Sequence, residues 1–109
     1  MTMPPDIDPA TAAKRLKDKD FVLIDVREQG EADDERIEGA VLMPLSTFNP
    51  QAVVDAYGDK DVAIHCQVGG RSARAAAAVT AAGKPASNVT GGLNAWKAAG
   101  LPTRTGPQR

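Results

Sequence analysis

Cys66 is the single cysteine in 109 residues, and it lies in Ile64-His65-Cys66-Gln67-Val68-Gly69-Gly70-Arg71-Ser72. A short apolar run precedes it and an alanine-rich stretch follows. That order predicts a strand, a glycine-bearing turn and a helix start, with Cys66 at the carboxyl end of the strand. Ligands of open α/β sheets bind at such ends. Gly69 and Gly70 admit positive φ, so successive N–H groups of the loop can point inward as an anion-binding nest. The start of the following helix adds its dipole and free N–H groups, and Arg71 adds a full positive charge. All of these favour Cys66 as a thiolate. A free thiol titrates near about 8.5, and such settings bring it to roughly 3.5–7.5. The thiolate is the nucleophile. The plainer reading makes Cys66 a small buried hydrophobe. Gly-Gly-Arg-Ser suits an anion cradle better than a core.

The elements that must hold this loop are legible around it. Phe21-Val22-Leu23-Ile24, Ala40-Val41-Leu42-Met43, Val62-Ala63-Ile64 and the weaker Ser87-Asn88-Val89-Thr90 are short runs bounded by turn residues, and each reads as a buried strand. Between them lie helical segments. Asp8-Pro9 starts one, with Asp as cap, Pro in the first turn and Ala12, Ala13 and Leu16 as its apolar stripe. Residues 46–57, with Ala52, Val53 and Ala56, read as a second. Residues 72–82 hold seven alanines and stop at Gly83. Residues 92–99 form the last, stopped by Gly100 and Pro102. Alternating strands and helices predict an α/β fold with a mostly parallel sheet. Residues 1–6 and 103–109 read as loose tails.

Composition narrows the classes. A chain of this length fits one domain. The apolar fraction of 42% and charged fraction of 25% are ordinary for a soluble globular protein. The longest apolar run, Ala75 to Val79, is far short of the about 20 residues of a membrane span. The N-terminus has neither a basic start nor an apolar stretch, so no secretory signal is expected. A lone cysteine forms no internal disulfide and excludes a cysteine-rich metal site, which fits a reducing cytoplasm. The net charge of −1 conceals an asymmetry: all 14 acidic residues lie at or before Asp61, and the remainder carries six Lys and Arg. Either the halves of the chain are not halves of the surface, or the second half holds a site for an anion. Six dispersed charges without interleaved aromatics are too few for a nucleic-acid footprint.

Three stretches and the loop, in order, resemble the rhodanese-like (sulfurtransferase) family. Leu23-Ile24-Asp25-Val26-Arg27-Glu28 looks like its first motif, and Arg36-Ile37-Glu38-Gly39-Ala40 running on to Met43-Pro44-Leu45 looks like its second. His65 to Ser72 looks like its active-site loop. Gly91-Gly92-Leu93-Asn94-Ala95-Trp96, with Gly100-Leu101-Pro102, looks like its C-terminal signature. The resemblance covers about 8–102 and implies one rhodanese-like domain over 1–109, with a mostly parallel sheet flanked by helices on both faces. It implies a sulfurtransferase that takes a sulfane sulfur from thiosulfate or a similar donor onto Cys66 as a persulfide and passes it to cyanide, a thiol or a sulfur-accepting protein. By position, Cys66 is the nucleophile, Gln67, Val68, Gly69, Gly70 and Arg71 cradle the persulfide, and Arg71 also helps to neutralise donor and leaving sulfite. Arg36 departs from the usual His of the second motif, at a position read as structural.

The chemistry of the residues agrees with this. Thiosulfate is a dianion, which suits an acid-free loop carrying an arginine, and attack by a thiolate on sulfur parallels thiol–disulfide exchange. No metal or organic cofactor is implied. With no second cysteine, sulfur must leave to an external acceptor. The expected partners are a small anionic sulfur donor and a thiol or protein acceptor, with no nucleic acid and no membrane.

Other residues are read against the same frame. His65 and Cys66 point to opposite faces of a strand, so His65 reads as a packed strand-end residue. Asp25 and Arg27 share a face at the end of the first strand and read as an ion pair ordering the site's edge, with substrate contact by Arg27 the alternative. Ser72 supports the loop. Arg74 either adds to the anion field or is solvated. Trp96 reads as core. Glu31, Asp33, Asp34 and Glu35 read as a solvated acidic helix face, with nothing apolar nearby to raise a pKa.

Two other functions compete. Cysteine-based phosphatases need a longer loop between cysteine and arginine to wrap a tetrahedral oxyanion. Here four residues intervene, which suits a single sulfur atom better. A non-catalytic binding or regulatory module is the second. Inactive relatives usually lose the loop cysteine, and this chain keeps it. A variant of that reading is a persulfide carrier fed by a partner protein. The loop also differs from the small, hydroxyl-rich loop of mercaptopyruvate users, which favours thiosulfate.

Overall fold

Residues 4–107 are described in the computed structural model. Two apolar strands form the centre of a sheet: β2 (Phe21–Asp25), buried at every residue, and β5 (Asp61–His65), buried from Val62 onward. They run parallel, with Phe21 beside Asp61 and Asp25 beside His65. β6 (Ala86–Val89) and β1 (Asp6–Ile7) extend the sheet on one side, and β4 (Val41–Leu42) on the other. The order is β1-β6-β5-β2-β4, and every pairing is parallel. A separate antiparallel pair joins β3 (Glu35–Arg36) to β7 (Arg104–Thr105).

Parallel strands need crossovers, and the helices that make them cover both faces. Strand alternation divides the core accordingly. Val22, Ile24, Val62, Ile64 and Cys66 pack with Val53 of α3 (Pro50–Tyr57) and with Ala75, Ala76 and Val79 of α4 (Gly70–Ala81). Phe21, Leu23 and Ala63 pack on the other face with Ala12 of α1 (Pro9–Arg15) and with Leu93 and Trp96 of α5 (Gly92–Ala98). Trp96 is buried and donates Nε1–H to the Pro102 carbonyl at 2.8 Å, a core role as expected. Arg36 is likewise structural, donating to the carbonyls of Ala32 and Gly106.

Several boundaries differ from the sequence expectation. Residues 46–57 are not one helix. A single 3-10 turn, Leu45–Thr47, ends at Phe48, and α3 begins at Pro50. Proline disfavours a helical residue before it, so the chain extends at Asn49, whose side chain caps the new helix through Gln51 N at 3.0 Å. α4 starts at Gly70, two residues before the expected Ser72, so Arg71 and Ser72 belong to its first turn. The stretches read as loose tails are partly in sheets, through Asp6 in β1 and Arg104–Thr105 in β7. Strands of two residues carry no readable period. Residues 1–3 and 108–109 lie outside the described residues.

A fifth helix, α2 (Gln29–Asp34), leads from β2 into β3 and carries much of the acidic cluster. The cluster is not simply a solvated face. Glu31 pairs with Arg71 and Glu35 with Lys97, while Glu38 further along pairs with Arg104. Three of the six Lys and Arg that follow Asp61 are thus paired with acids that precede it.

Candidate functional site

The site is built at the carboxyl edge of β5. Side chains alternate at the end of that strand, so Cys66 continues the face of Val62 and Ile64 towards α4, and His65 points to the other side. Past Cys66 the backbone turns sharply at Gly69, whose φ of +113° is open to glycine and strained for any other residue. Gly70, by contrast, is helical, so only one of the two glycines uses positive φ. The turn aims its donors at the sulfur. Sγ of Cys66 accepts from Gly69 N at 3.1 Å and Ser72 N at 3.4 Å, and Ser72 Oγ lies within donating distance of it at 3.3 Å. Burial pushes the thiol up. The hydrogen bonds from the Ser72 hydroxyl and from the amides of Ser72, Gly69 and Val68 outweigh it, and the thiol is held below its ordinary value.

The loop is pinned from behind by α5. Leu93 N donates to the Cys66 carbonyl at 2.9 Å and Asn94 N to the Gln67 carbonyl at 3.1 Å. With these carbonyls drawn to one side, the following amides face the other, towards Sγ. This approach requires Gly92. A Cβ there would lie 2.4 Å from the Cys66 carbonyl oxygen. His65 Nδ1 lies 3.2 Å from the same carbonyl, which assigns its proton to Nδ1. Burial pulls the His65 pKa down, so the ring is neutral at neutral pH. Its buried Nε2 has no hydrogen-bond partner among the described residues and sits 3.8 Å from Asp25 Oδ2. His65 therefore touches the loop backbone and not the sulfur.

Asp25 and Arg27 form the expected ion pair, at 2.8 Å with both residues 1% exposed. The guanidinium also donates to the carbonyls of Glu31 and Glu35 and to Gln67 Oε1 at 3.2 Å. All its donors are engaged by protein acceptors. The alternative expectation, that Arg27 contacts substrate, is corrected here: Arg27 is a brace between the end of β2 and the loop. Gln67 is held at its other end too, Nε2 donating to Asn94 Oδ1 at 2.6 Å, so its backbone rather than its side chain is available to a ligand. Val68, 65% exposed, is the exposed apolar residue on the crest of the loop.

Arg71 does not stand free. Its guanidinium meets Glu31 in a two-point pair, at 2.7 and 2.8 Å. Glu31 is held down to about 2 by this partner, against an ordinary 4.5. Arg71 is raised by the same contact. The loop is acid-free in sequence but not in space. Glu31, Asn94, Gly92 and Asn88, which contacts Ser72, are the residues that sequence reasoning missed. A signal existed for Gly92, since a Gly-Gly pair opening a helix marks a close backbone approach. Arg74 is exposed and makes no ion pair among the described residues. No group of acidic, His and Cys side chains suited to a metal occurs among the described residues, and no helix there is long and apolar enough to cross a membrane.

Known proteins share this fold. The family model described as Rhodanese-like domain matches residues 8–99. The chain is 39% identical over 98 residues to "Uncharacterized protein slr1261" of Synechocystis, covering 89% of this chain and 54% of that one, so it spans about half of that relative's length. It is 33% identical over 99 residues to a protein of Allochromatium vinosum named "Sulfurtransferase", covering 89% of this chain and 92% of that one. Among solved structures, a thiosulfate sulfurtransferase from Pseudomonas aeruginosa superposes with a TM-score of 0.80 at 30% identity, over 96% of this chain and 20% of that one. The family match runs from the cap of α1 to the end of α5, through every element that positions Cys66, and the chain belongs to the rhodanese-like family.

Proposed function

We propose that this chain is a rhodanese-type sulfurtransferase that carries a sulfane sulfur on Cys66. The observation that carries the reading is the convergence of the Gly69 and Ser72 amides and the Ser72 hydroxyl on Sγ. These donors stabilise a thiolate at Sγ. In the first step the Cys66 thiolate attacks the outer sulfur of thiosulfate. The Sγ–S bond forms, the sulfur–sulfur bond of the donor breaks, and sulfite leaves with the electron pair. In the second, an acceptor nucleophile such as cyanide or a thiol attacks the outer sulfur and Cys66 departs as thiolate. No base is needed in either step. The 109 residues hold no second cysteine, so the acceptor lies outside them. A reducing compartment, the cytoplasm, suits such a carrier.

A second reading draws on the closure of the site. Cys66 is 1% exposed and Arg71 is already paired with Glu31, while Val68 stands out on the loop crest. These features favour a persulfide carrier whose donor is a protein that opens the loop. One experiment separates the two. Thiocyanate formation from thiosulfate and cyanide is measured for the native chain and Cys66→Ser, with intact mass after thiosulfate. Turnover with the mass of one added sulfur, both lost in the variant, supports the enzyme. A mass gain without turnover supports the carrier. Neither signal refutes both in favour of a binding module.

A further inference from the structure

Ser72 has one hydroxyl proton and three acceptors around it. Its Oγ lies 2.6 Å from Asn88 Oδ1, 3.2 Å from the Gly69 carbonyl and 3.3 Å from Cys66 Sγ. A hydroxyl donates once. While the sulfur is a protonated thiol, donation to Asn88 satisfies the group. Once the sulfur is an anion, the same orientation gives the proton to the nearer amide oxygen and withholds it from the charge. The conflict vanishes if the Asn88 amide turns over. Nδ2 then donates to Ser72 Oγ, and the hydroxyl proton is free for Sγ.

Nothing in the surroundings holds the amide in one sense. Its Nδ2 has no protein partner among the described residues. The main chain of Asn88 is fixed between strands, beside Ile64 of β5 and Asp6 of β1, with its N–H donating to the Pro5 carbonyl at 2.9 Å. The side chain thus keeps its place while the terminal amide can turn. Its outer side borders a groove lined by Asp6, Ala73 and Ala77, where either end of the amide can meet water. We propose that Asn88 is a positioning residue for Cys66, its amide donating to Ser72 Oγ when the sulfur is anionic and so directing the hydroxyl proton onto Sγ. It acts through Ser72 and touches neither sulfur nor substrate. The charged groups near this relay are Arg71 on α4, paired with Glu31 of α2, and Asp6 on β1. The consequence for sulfur transfer rests on the reading of Cys66 as the sulfur carrier; the effect on the thiolate does not.

The test is the ionisation of Cys66, followed by thiolate absorbance and by alkylation rate against pH. Asn88→Asp replaces the amide with a group that only accepts. It captures the Ser72 proton, and the Cys66 midpoint should rise by about one unit, a tenfold loss of thiolate below it. Asn88→Ala frees the hydroxyl for the sulfur and should shift the midpoint much less. A carboxylate also repels the thiolate directly, so both Asn88 variants are repeated with Ser72→Ala and Ser72→Thr. The Asp effect should shrink by half or more without the hydroxyl and persist with threonine. An equal shift in all backgrounds, or none from Asn88→Asp, overturns the proposal. Titration needs no turnover, so a native chain inactive with thiosulfate defeats the enzyme reading while these shifts still decide the role of Asn88.

Discussion

Glu31→Gln removes the carboxylate that occupies Arg71 while leaving a side chain of the same shape. Glutamine still accepts from Glu28 N, the contact Glu31 makes at 3.0 Å to close the capping box of α2. On the proposed reading, an anionic donor entering the loop would compete with Glu31 for the same guanidinium. The pair has good two-point geometry at 2.7 and 2.8 Å, but its side chains are 31% and 35% exposed, so water and salt screen it. An ion pair in that setting is worth about 1 kcal/mol rather than the several of a buried one. Releasing it should lower the KM for thiosulfate by about fivefold, since 1.36 kcal/mol is tenfold. The kcat should change little, because the donors on Sγ are untouched. Initial rates at saturating cyanide, over a thiosulfate series at low and at high salt, measure this. The gain should be largest at low salt. An unchanged or raised KM refutes the argument and makes Glu31 a residue that holds Arg71 in its working position.

Arg27→Ala should destabilise the fold by about 3–5 kcal/mol, because it strands the buried Asp25 carboxylate; denaturant unfolding checks this. Gly92→Ala should cost several kcal/mol and slow Cys66 alkylation or turnover, since its Cβ has no room beside the Cys66 carbonyl and its φ is +58°; the readout is Tm together with activity. Alkylation of native Cys66 should titrate with a midpoint below that of the unfolded chain, because hydrogen bonding favours the thiolate; an equal or higher midpoint contradicts the cradle. Glu31 is lowered on folding from 4.5 to about 2, so its contribution to stability should be full above about pH 4.5 and fade as pH falls towards 2. Glu31→Gln should flatten that limb of the acid unfolding curve.

Much of this molecule is readable before folding. The runs at Phe21 and Val62 are strands because apolar, β-branched residues between turn signals have little else to form, and the alanines of α4 favour helix by propensity. The cradle is also local: Cys66, Gly69 and Ser72 lie within seven consecutive residues, so their donors meet the sulfur through one turn and one helix start. The short pairings of β1, β3 and β7 were not readable, because two residues have no period and their hydrogen bonds come from distant backbone. The break at Phe48–Asn49 is marked in the sequence by Pro50, which disfavours a helical residue before it, against an apolar spacing that suits one continuous helix.

The sequence by itself therefore determined the candidate nucleophile, its loop and the α/β pattern that presents them, since each depends on residues close together along the chain. Only the tertiary structure decided what surrounds that loop. Glu31 and Arg71 are 40 residues apart and meet because β2 and β5 are neighbours in the sheet, which brings α2 within side-chain reach of the start of α4. Arg27 shares a face with Asp25 by alternation alone. It is a saturated brace rather than a substrate contact because the chain returns through Glu31 and Glu35 to cover it. Asn88 reaches Ser72 because β6 lies beside β5. Alternation and propensity act between neighbours in the chain, whereas these contacts depend on strand order, which no local pattern encodes.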